Sequence, residues 1–353
     1  LVPLLLTPIF SLVAEDEPVL RVKLDDPQPA NKNRFGISYR ANFNITAEFQ
    51  NVANARPGPA GGRGPGPATG GVDHFYDDGY NREDSTHSGG GITWFWGYKN
   101  NSQISGDTLS MHSSSAAPIN SKTIDSDIQH GAELTWNREL GRRENNCSWG
   151  LESALGWTDI EIRDRRPLGG GVRTVTDVYN LGGINPNVPP QSAEYPGHAG
   201  TFEGPGPLIE DTPTRSVDFS ANSSLVTGRR RFDGDLFTLR VGPYLEIPID
   251  DQWSISLSAG GAVGLIDGEY RFRHVVTTPG GTGLQSGSGS KSDVLFGGYV
   301  NMVIHWAITE QWGMFVGGQY MGLTDYTLKA RGTKVELDFA RTASFTGGVS
   351  FSF

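Results

Sequence analysis

Val294, Phe296, Gly298, Val300, Met302, Ile304, Trp306 and Ile308 occupy the even positions of one stretch, while Asp293, Asn301 and His305 stand among its odd ones. After Thr309-Glu310-Gln311 the alternation resumes, with Trp312, Met314, Val316, Gly318 and Tyr320 on one face and Gln319 and Asp325 on the other. A third run sets Phe339, Ala343, Phe345, Gly347, Val349, Phe351 and Phe353 against Asp338, Thr342, Ser344, Thr346, Ser350 and Ser352; Arg341 alone breaks its apolar face. A period of two belongs to strands. Long apolar faces with aromatics at their ends, opposed by small and polar residues, form the pattern of a transmembrane β-barrel. Val294, Trp306, Phe345 and Phe353 are then expected to meet lipid, and Asn301, His305 and Gln319 to face the lumen.

The same alternation recurs upstream. Phe35, Ile37, Tyr39, Ala41, Phe43, Ile45, Ala47 and Phe49 predict a first strand over 34–49 that matches the last in kind. The two are expected as neighbours, because closure removes exposed sheet edges. Ile128, Ala132, Leu134 and Trp136, then Trp149, Leu151, Leu155 and Trp157, predict a hairpin around the charged turn at 141–145. Phe237, Leu239, Val241, Leu245, Ile247 and Ile249 predict a strand joined through Asp250-Asp251-Gln252 to another carrying Trp253, Ile255, Leu257, Ala259, Val263 and Leu265.

Connection lengths test this independently, since outer-membrane barrels have short periplasmic turns and long outer loops. Turns at 141–145, 250–252 and 309–311 are short, and they alternate with expected outer loops at 50–90, 163–235, 273–291 and 329–335. This makes eight strands, with both termini periplasmic. Ile92, Trp94, Trp96 and Tyr98, with a weak partner at 107–113, raise the count to ten. Ten is the preferred number, because a Trp/Trp/Tyr face left in solvent would be an exposed apolar patch. The expected fold is therefore all-β: a closed antiparallel up-and-down transmembrane β-barrel of 8–10 strands over residues 34–353.

Composition agrees. Apolar residues are only 36% and Gly numbers 48, which suits strands that hide half their side chains from lipid and are linked by polar loops. The net charge of −10 and the absence of a basic stripe argue against a nucleic-acid partner. Cys147, the single cysteine, excludes an internal disulfide and a cysteine metal site. Residues 1–14 are an apolar run ahead of Glu15-Asp16-Glu17, the pattern of a secretory signal, with a buried N-terminal strand or helix as the alternative. The sequence is expected to begin inside that signal, and residues 15–33, polar with prolines, read as a periplasmic tether.

The polar faces contribute Arg40, Asn42, Glu133, Glu152, Arg240, Glu246, Asn301, His305 and Gln319. A barrel of this size has an interior that side chains can fill, or that leaves a thin water path. Charges buried there must pair, since each would otherwise cost several kcal/mol. Arg40 and Arg240 are expected to face Glu133, Glu152 and Glu246, as a plug or as the lining of a narrow pore.

The chain resembles the small outer-membrane β-barrels typified by the OmpA transmembrane domain and OmpW. The run Val349-Ser350-Phe351-Ser352-Phe353 is similar to the C-terminal signal of such proteins, which implies that Val349, Phe351 and Phe353 are read by the barrel-assembly machinery. The resemblance implies an outer membrane of Gram-negative type, porin-like or structural roles, and contact with membrane lipid and lipopolysaccharide. As the sequence ends at Phe353, a peptidoglycan-binding domain like that of full-length OmpA is not expected.

Signs of chemistry are weak. The seven histidines show no metal-ligand spacing, no Gly-x-Ser-x-Gly elbow occurs, and nothing calls for a cofactor. A surface enzyme, either a protease of the omptin type or a lipid-modifying enzyme, is the alternative, with Asp73, His74, Asp77 and Asp78 as its candidate residues. The acidic run at 77–84 has oxygen ligands suited to Ca²⁺ but lacks the twelve-residue loop spacing, and reads as a solvated loop bridged to lipopolysaccharide by divalent ions. The expected role is structural, narrow-pore or surface-contact rather than enzymatic. A secreted β-sandwich is the soluble alternative, and it predicts extraction without detergent.

Overall fold

The computed structural model describes residues 33–53, 71–84, 91–93, 95–143, 147–184 and 208–353. The expected signal at 1–14 and all but the last residue of the tether at 15–33 lie outside them. Eight antiparallel strands organise the chain: β1 (Asn33–Phe43), β2 (Gln129–Arg142), β3 (Ser148–Asp164), β4 (Thr214–Pro248), β5 (Trp253–Thr278), β6 (Gly281–Ala307), β7 (Trp312–Leu323) and β8 (Thr342–Ser352). Each pairs with the next, and β8 pairs with β1, so hydrogen bonding returns on itself as a ring with up-and-down connectivity. Phe35 stands opposite Phe351 in β8 and Trp136 in β2.

The ring has eight members rather than the preferred ten. Ile92–Thr93 and Trp96–Tyr98 pair with the short strands Ile209–Glu210 and Gly79–Asp84, and Thr108–Ala116 pairs with Leu168–Asn180. Trp96 and Tyr98 are each 1% exposed, packed with Tyr76, Tyr80, Met111 and Tyr179 in a core of their own. Trp96 and Tyr98 do avoid water, covered by protein; Trp94 of the expected face lies outside the described residues, and Ile92 is exposed.

Two expected loops are largely strand. Residues 273–291 are the outer ends of β5 and β6, while 163–235 holds Leu168–Asn180 and the first half of β4. At about 3.3 Å per residue, the 26 residues of β5 span roughly 85 Å, far more than a bilayer core of about 30 Å requires. The first strand is shorter than expected: Asn44 adopts a positive φ of 62°, which Asn tolerates better than most residues, and the chain leaves the ring there. Thr46–Gln50 joins Thr333–Asp338, Tyr326–Ala330 and Ile124–Asp125 in a separate four-stranded sheet, so the expected loop at 329–335 is part of a hairpin.

The polarity of the two faces inverts along the long strands. In the lower part of β5, Trp253, Leu257, Val263 and Leu265 point out and Ser254, Ser256 and Ser258 point in; above it, Asp267, Glu269, Arg271 and Arg273 point out and Ile266, Tyr270, Phe272 and Val276 point in. The upper half is an ordinary protein interior with a charged surface. The lower half has its apolar side outward.

At the tip of the β5–β6 hairpin, a Cβ on Gly280 would run into the Asp77 carboxylate. The close seat of that tip on the small aromatic-cored head therefore depends on glycine.

Candidate functional site

The interior of the ring holds two layers. In the lower one, β1 and β4 project Arg40 and Arg240 from opposite sides toward Glu133 of β2, because inward positions alternate with lipid-type outward ones along each strand. Arg40 Nη1 donates to Glu133 Oε2 at 2.7 Å, Arg240 Nη2 to Glu133 Oε1 at 2.7 Å, and Arg240 Nη1 to Glu152 Oε1 at 2.5 Å. Ser344 and Ser258 complete the set, accepting from Arg40 and donating to Glu152 at 2.9 Å each. Two arginines meet two glutamates, and all four are buried. Removing four charges from water costs several kcal/mol per ion, and this balanced, hydrogen-bonded arrangement is the kind that offsets it.

Glu246 is not in that cluster. It lies nearer the β4–β5 turn, where Arg34 donates to it at 2.6 Å and Ser254 at 2.7 Å. The separation follows from the strand rise: Glu246 is six residues from Arg240 on one strand, about 20 Å away. Arg34 belongs to the inner set, although the alternation placed it beside Ser38 and Arg40 without marking it as a partner. His305 lines the same small mouth, packed against Phe315 at 5.7 Å. Asn301 and Gln319 face each other across β6 and β7, both inward and buried. Phe351 packs on Trp312 at 5.0 Å and Phe353 on Phe35 at 5.8 Å, so the terminal aromatics join Trp253 and Trp306 in a band around the lower rim.

The upper layer is apolar. Leu236, Ile266, Leu295 and Leu323 from the ring pack with Phe49, Leu328, Val335, Leu337 and Phe339 from the four-stranded sheet, which folds across the ring interior. Tyr299 joins the layers: it belongs to the apolar cluster, and the Arg240 guanidinium lies 4.8 Å from its ring centroid. No single stretch announces this layer. Its signal is the continued alternation past residue 266 with the faces exchanged.

Outside the ring the same inversion builds a stratified collar. Above the row Trp157, Phe237, Leu265 and Val294, the cross-strand register sets Asp159, Asp235 and Asp267 side by side, then Glu161, Asp233 and Glu269, then Arg163, Arg231 and Arg271. The acidic and basic rows pair with each other, as in Arg231 with Glu161 and with Asp233 at 2.7 Å. Trp157 Nε1 donates to Asp235 at 2.8 Å, tying the top of the apolar band to the first charged row.

The residues proposed for an enzyme fall in two places, Asp73 and His74 in one cleft and Asp77 and Asp78 at the strand that carries His112 and Ser114. Asp73 accepts from Arg82 at 2.6 Å, Asp77 from the Ser114 backbone N–H at 2.5 Å, and Asp78 from the His112 backbone N–H at 2.8 Å. His74 lies 3.6 Å from Glu83, whereas the imidazole that meets Asp78, at 2.6 Å, is that of His112. Among the described residues no group of three or more His, Cys, Asp or Glu is placed to hold a metal ion. The hydrogen bond with Asp78 holds the His112 pKa above its ordinary value, against a smaller opposing effect of burial. A raised histidine stabilises the fold below its unfolded pKa of about 6.5, and this contribution is lost as pH rises through the folded value. Amide protection in Thr108–Ala116 is therefore expected to fall as pH rises above about 6.5, and the Asp78→Asn variant to lack that pH dependence; hydrogen exchange measures both.

Among solved structures the chain is similar to Ail, the attachment invasion locus protein of Yersinia pestis, at 9% identity, with 92% of this chain and 99% of that chain covered and a TM-score of 0.30. It is similar also to the outer membrane protease OmpT of Escherichia coli, at 10% identity, with 92% and 97% covered and a TM-score of 0.35. No family model and no curated protein matches it.

Proposed function

We propose that the ring is a closed transmembrane barrel of a Gram-negative-type outer membrane, impermeable to solutes, which carries a rigid β-structure outside the membrane for contact with other surfaces. The inversion of polarity along β3, β4 and β5 carries this reading. An outward apolar band over a polar, ion-paired interior suits lipid, and an outward charged collar over an apolar interior suits water, so the change between them marks the outer membrane interface. At that level the collar faces lipopolysaccharide headgroups, with its arginine rows toward phosphate. Export through a signal peptide and insertion by the barrel-assembly machinery, with Val349, Phe351 and Phe353 as its signal, belong to the same proposal.

The interior favours a plug over a pore. Both layers cross the ring: charges neutralised side chain to side chain below, and above them an apolar core that also encloses the paired Arg230 and Asp164 and the buried His274. A non-catalytic role is favoured because each acid of the enzyme reading is engaged by a partner of its own. In planar bilayers the purified, refolded protein is expected to give no stepwise conductance. A steady channel current would overturn the closed barrel.

A further inference from the structure

The outer head contains an open cleft of about 480 Å³ between Gly71–Tyr76, Thr108–Ala116, Leu168–Asn180 and the outer end of β4. Its two arginines are presented in different ways. Arg215 is 58% exposed, yet the fully buried Asp177 holds it through two hydrogen bonds of 2.7 Å, Nε to Oδ1 and Nη2 to Oδ2. Asp177 is fixed in turn by the Tyr76 hydroxyl, which donates to it at 2.7 Å. A buried carboxylate thus clamps an exposed guanidinium and leaves three of its five N–H groups for a ligand. Arg173 is exposed and makes no ion pair with any described residue.

Register places them on one face. Asp177 is opposite Arg215, Val175 opposite Val217 and Arg173 opposite Phe219, so the arginines are separated by about four strand residues, roughly 13 Å, with Val175 between them. Ser113 and Ser115 stand beside Val175 and Arg173 on the next strand. Phe75, partly exposed, adds an aromatic surface from the far side.

We propose that this cleft binds an acidic oligosaccharide, with Arg173 and Arg215 each taking one carboxylate and the sugar body lying across Val175 toward Phe75. The inference deepens the surface-contact reading and rests on the head facing outward. The span between the cations exceeds a single carboxylate or phosphate, and the cleft has the size of a small-ligand site. Hydroxyls, a small apolar floor and an aromatic surface between two cations suit the alternating polar and apolar faces of a sugar chain. The net charge of −10 makes a nucleic acid a poor competitor.

The test uses the full chain, refolded in detergent micelles, and isothermal titration calorimetry with three probes: a uronic-acid tetrasaccharide, its carboxyl-reduced neutral counterpart, and an oligoglutamate peptide. The acidic tetrasaccharide is expected to bind in a salt-sensitive manner and the neutral one not to bind. Arg173→Ala, which removes no ion pair, is expected to weaken binding about tenfold to hundredfold, the usual worth of a charge-assisted hydrogen bond. Unchanged hydrogen-exchange protection of Leu168–Asn180 establishes that this variant keeps its fold. No binding of the acidic sugar, equal binding of the neutral one, insensitivity to Arg173→Ala, or tighter binding of the peptide would each overturn the proposal. Conductance of the same preparation reports separately on the closed barrel, so a conducting protein that binds the sugar defeats the barrel reading and leaves the site standing.

Discussion

Glu133→Ala is expected to destabilise the barrel by about 3–5 kcal/mol, the usual consequence of removing one partner from a buried ion pair. Among the described residues Glu133 is the only carboxylate touched by both Arg40 and Arg240, at 2.7 Å each. Without it, Arg40 keeps Ser344 as its neutral acceptor, and Arg240 keeps Glu152. Two guanidinium charges then face one carboxylate in a space that holds little water. The measurement is the temperature at which the folded form loses its distinct electrophoretic mobility in SDS, and it should fall markedly. Replacing Arg40, Glu133, Glu152 and Arg240 together by Met, Leu, Leu and Met is expected to restore much of the loss, because apolar side chains of similar volume remove all four buried charges at once. If Glu133→Ala left the transition unchanged, the cluster would carry no structural weight.

Phe232→Ala is expected to cost a similar amount, about 3–5 kcal/mol, by opening a cavity in the apolar layer. Phe232 is fully buried, meets Tyr326 edge to face at 5.9 Å, and covers Gly268, where a Cβ would strike its ring. Its effect should differ in place from that of Glu133→Ala. The four-stranded sheet lies above the outward apolar band, so its hairpin around 330–333 should become open to added protease while the SDS mobility transition of the ring changes little. Loss of both together would mean that the two layers fold as one unit, against the view that they are successive closures.

The ring was legible because its strands keep one side apolar and the other polar, the pattern that the proposed lipid setting would impose. Every outward position between the aromatic bands must be apolar, and every backbone group must find a strand partner. Val294 to Ile308 and Phe339 to Phe353 therefore display their alternation openly, and so do the strands carrying Phe237 and Trp253. Arg40, Glu133, Glu152 and Arg240 all stand on the inward parity of their strands, and the structure buries all four. Their expected pairing holds only in part: Glu133 and Glu152 meet the two arginines, and Glu246 meets Arg34 instead. Glu246 and Glu152 have the same parity and charge, and only the register of β4 against β3 and β5 sets Glu246 beside Arg34 and Glu152 beside Arg240.

Above residue 266 the polarity of the two faces exchanges. Asp267, Glu269, Arg271 and Arg273 look like a polar loop when read against an apolar band, although Ile266, Tyr270, Phe272 and Val276 keep the period of two. The aromatic stretch around Trp96 was misread for a related reason. Burial against Tyr80 and Met111 satisfies Trp96 as well as lipid would, and hydrophobicity alone does not distinguish the two.

By itself the sequence determined that the chain is built from antiparallel strands of period two and which side of each faces inward, because side-chain alternation is a local property. The tertiary structure decided the strand number, the pairing of the buried charges, the apolar layer across the ring interior, and the cleft that unites Arg173 and Arg215. Those depend on which strands become neighbours and at what register, and a strand's own residues do not encode the level at which another chain segment will meet them.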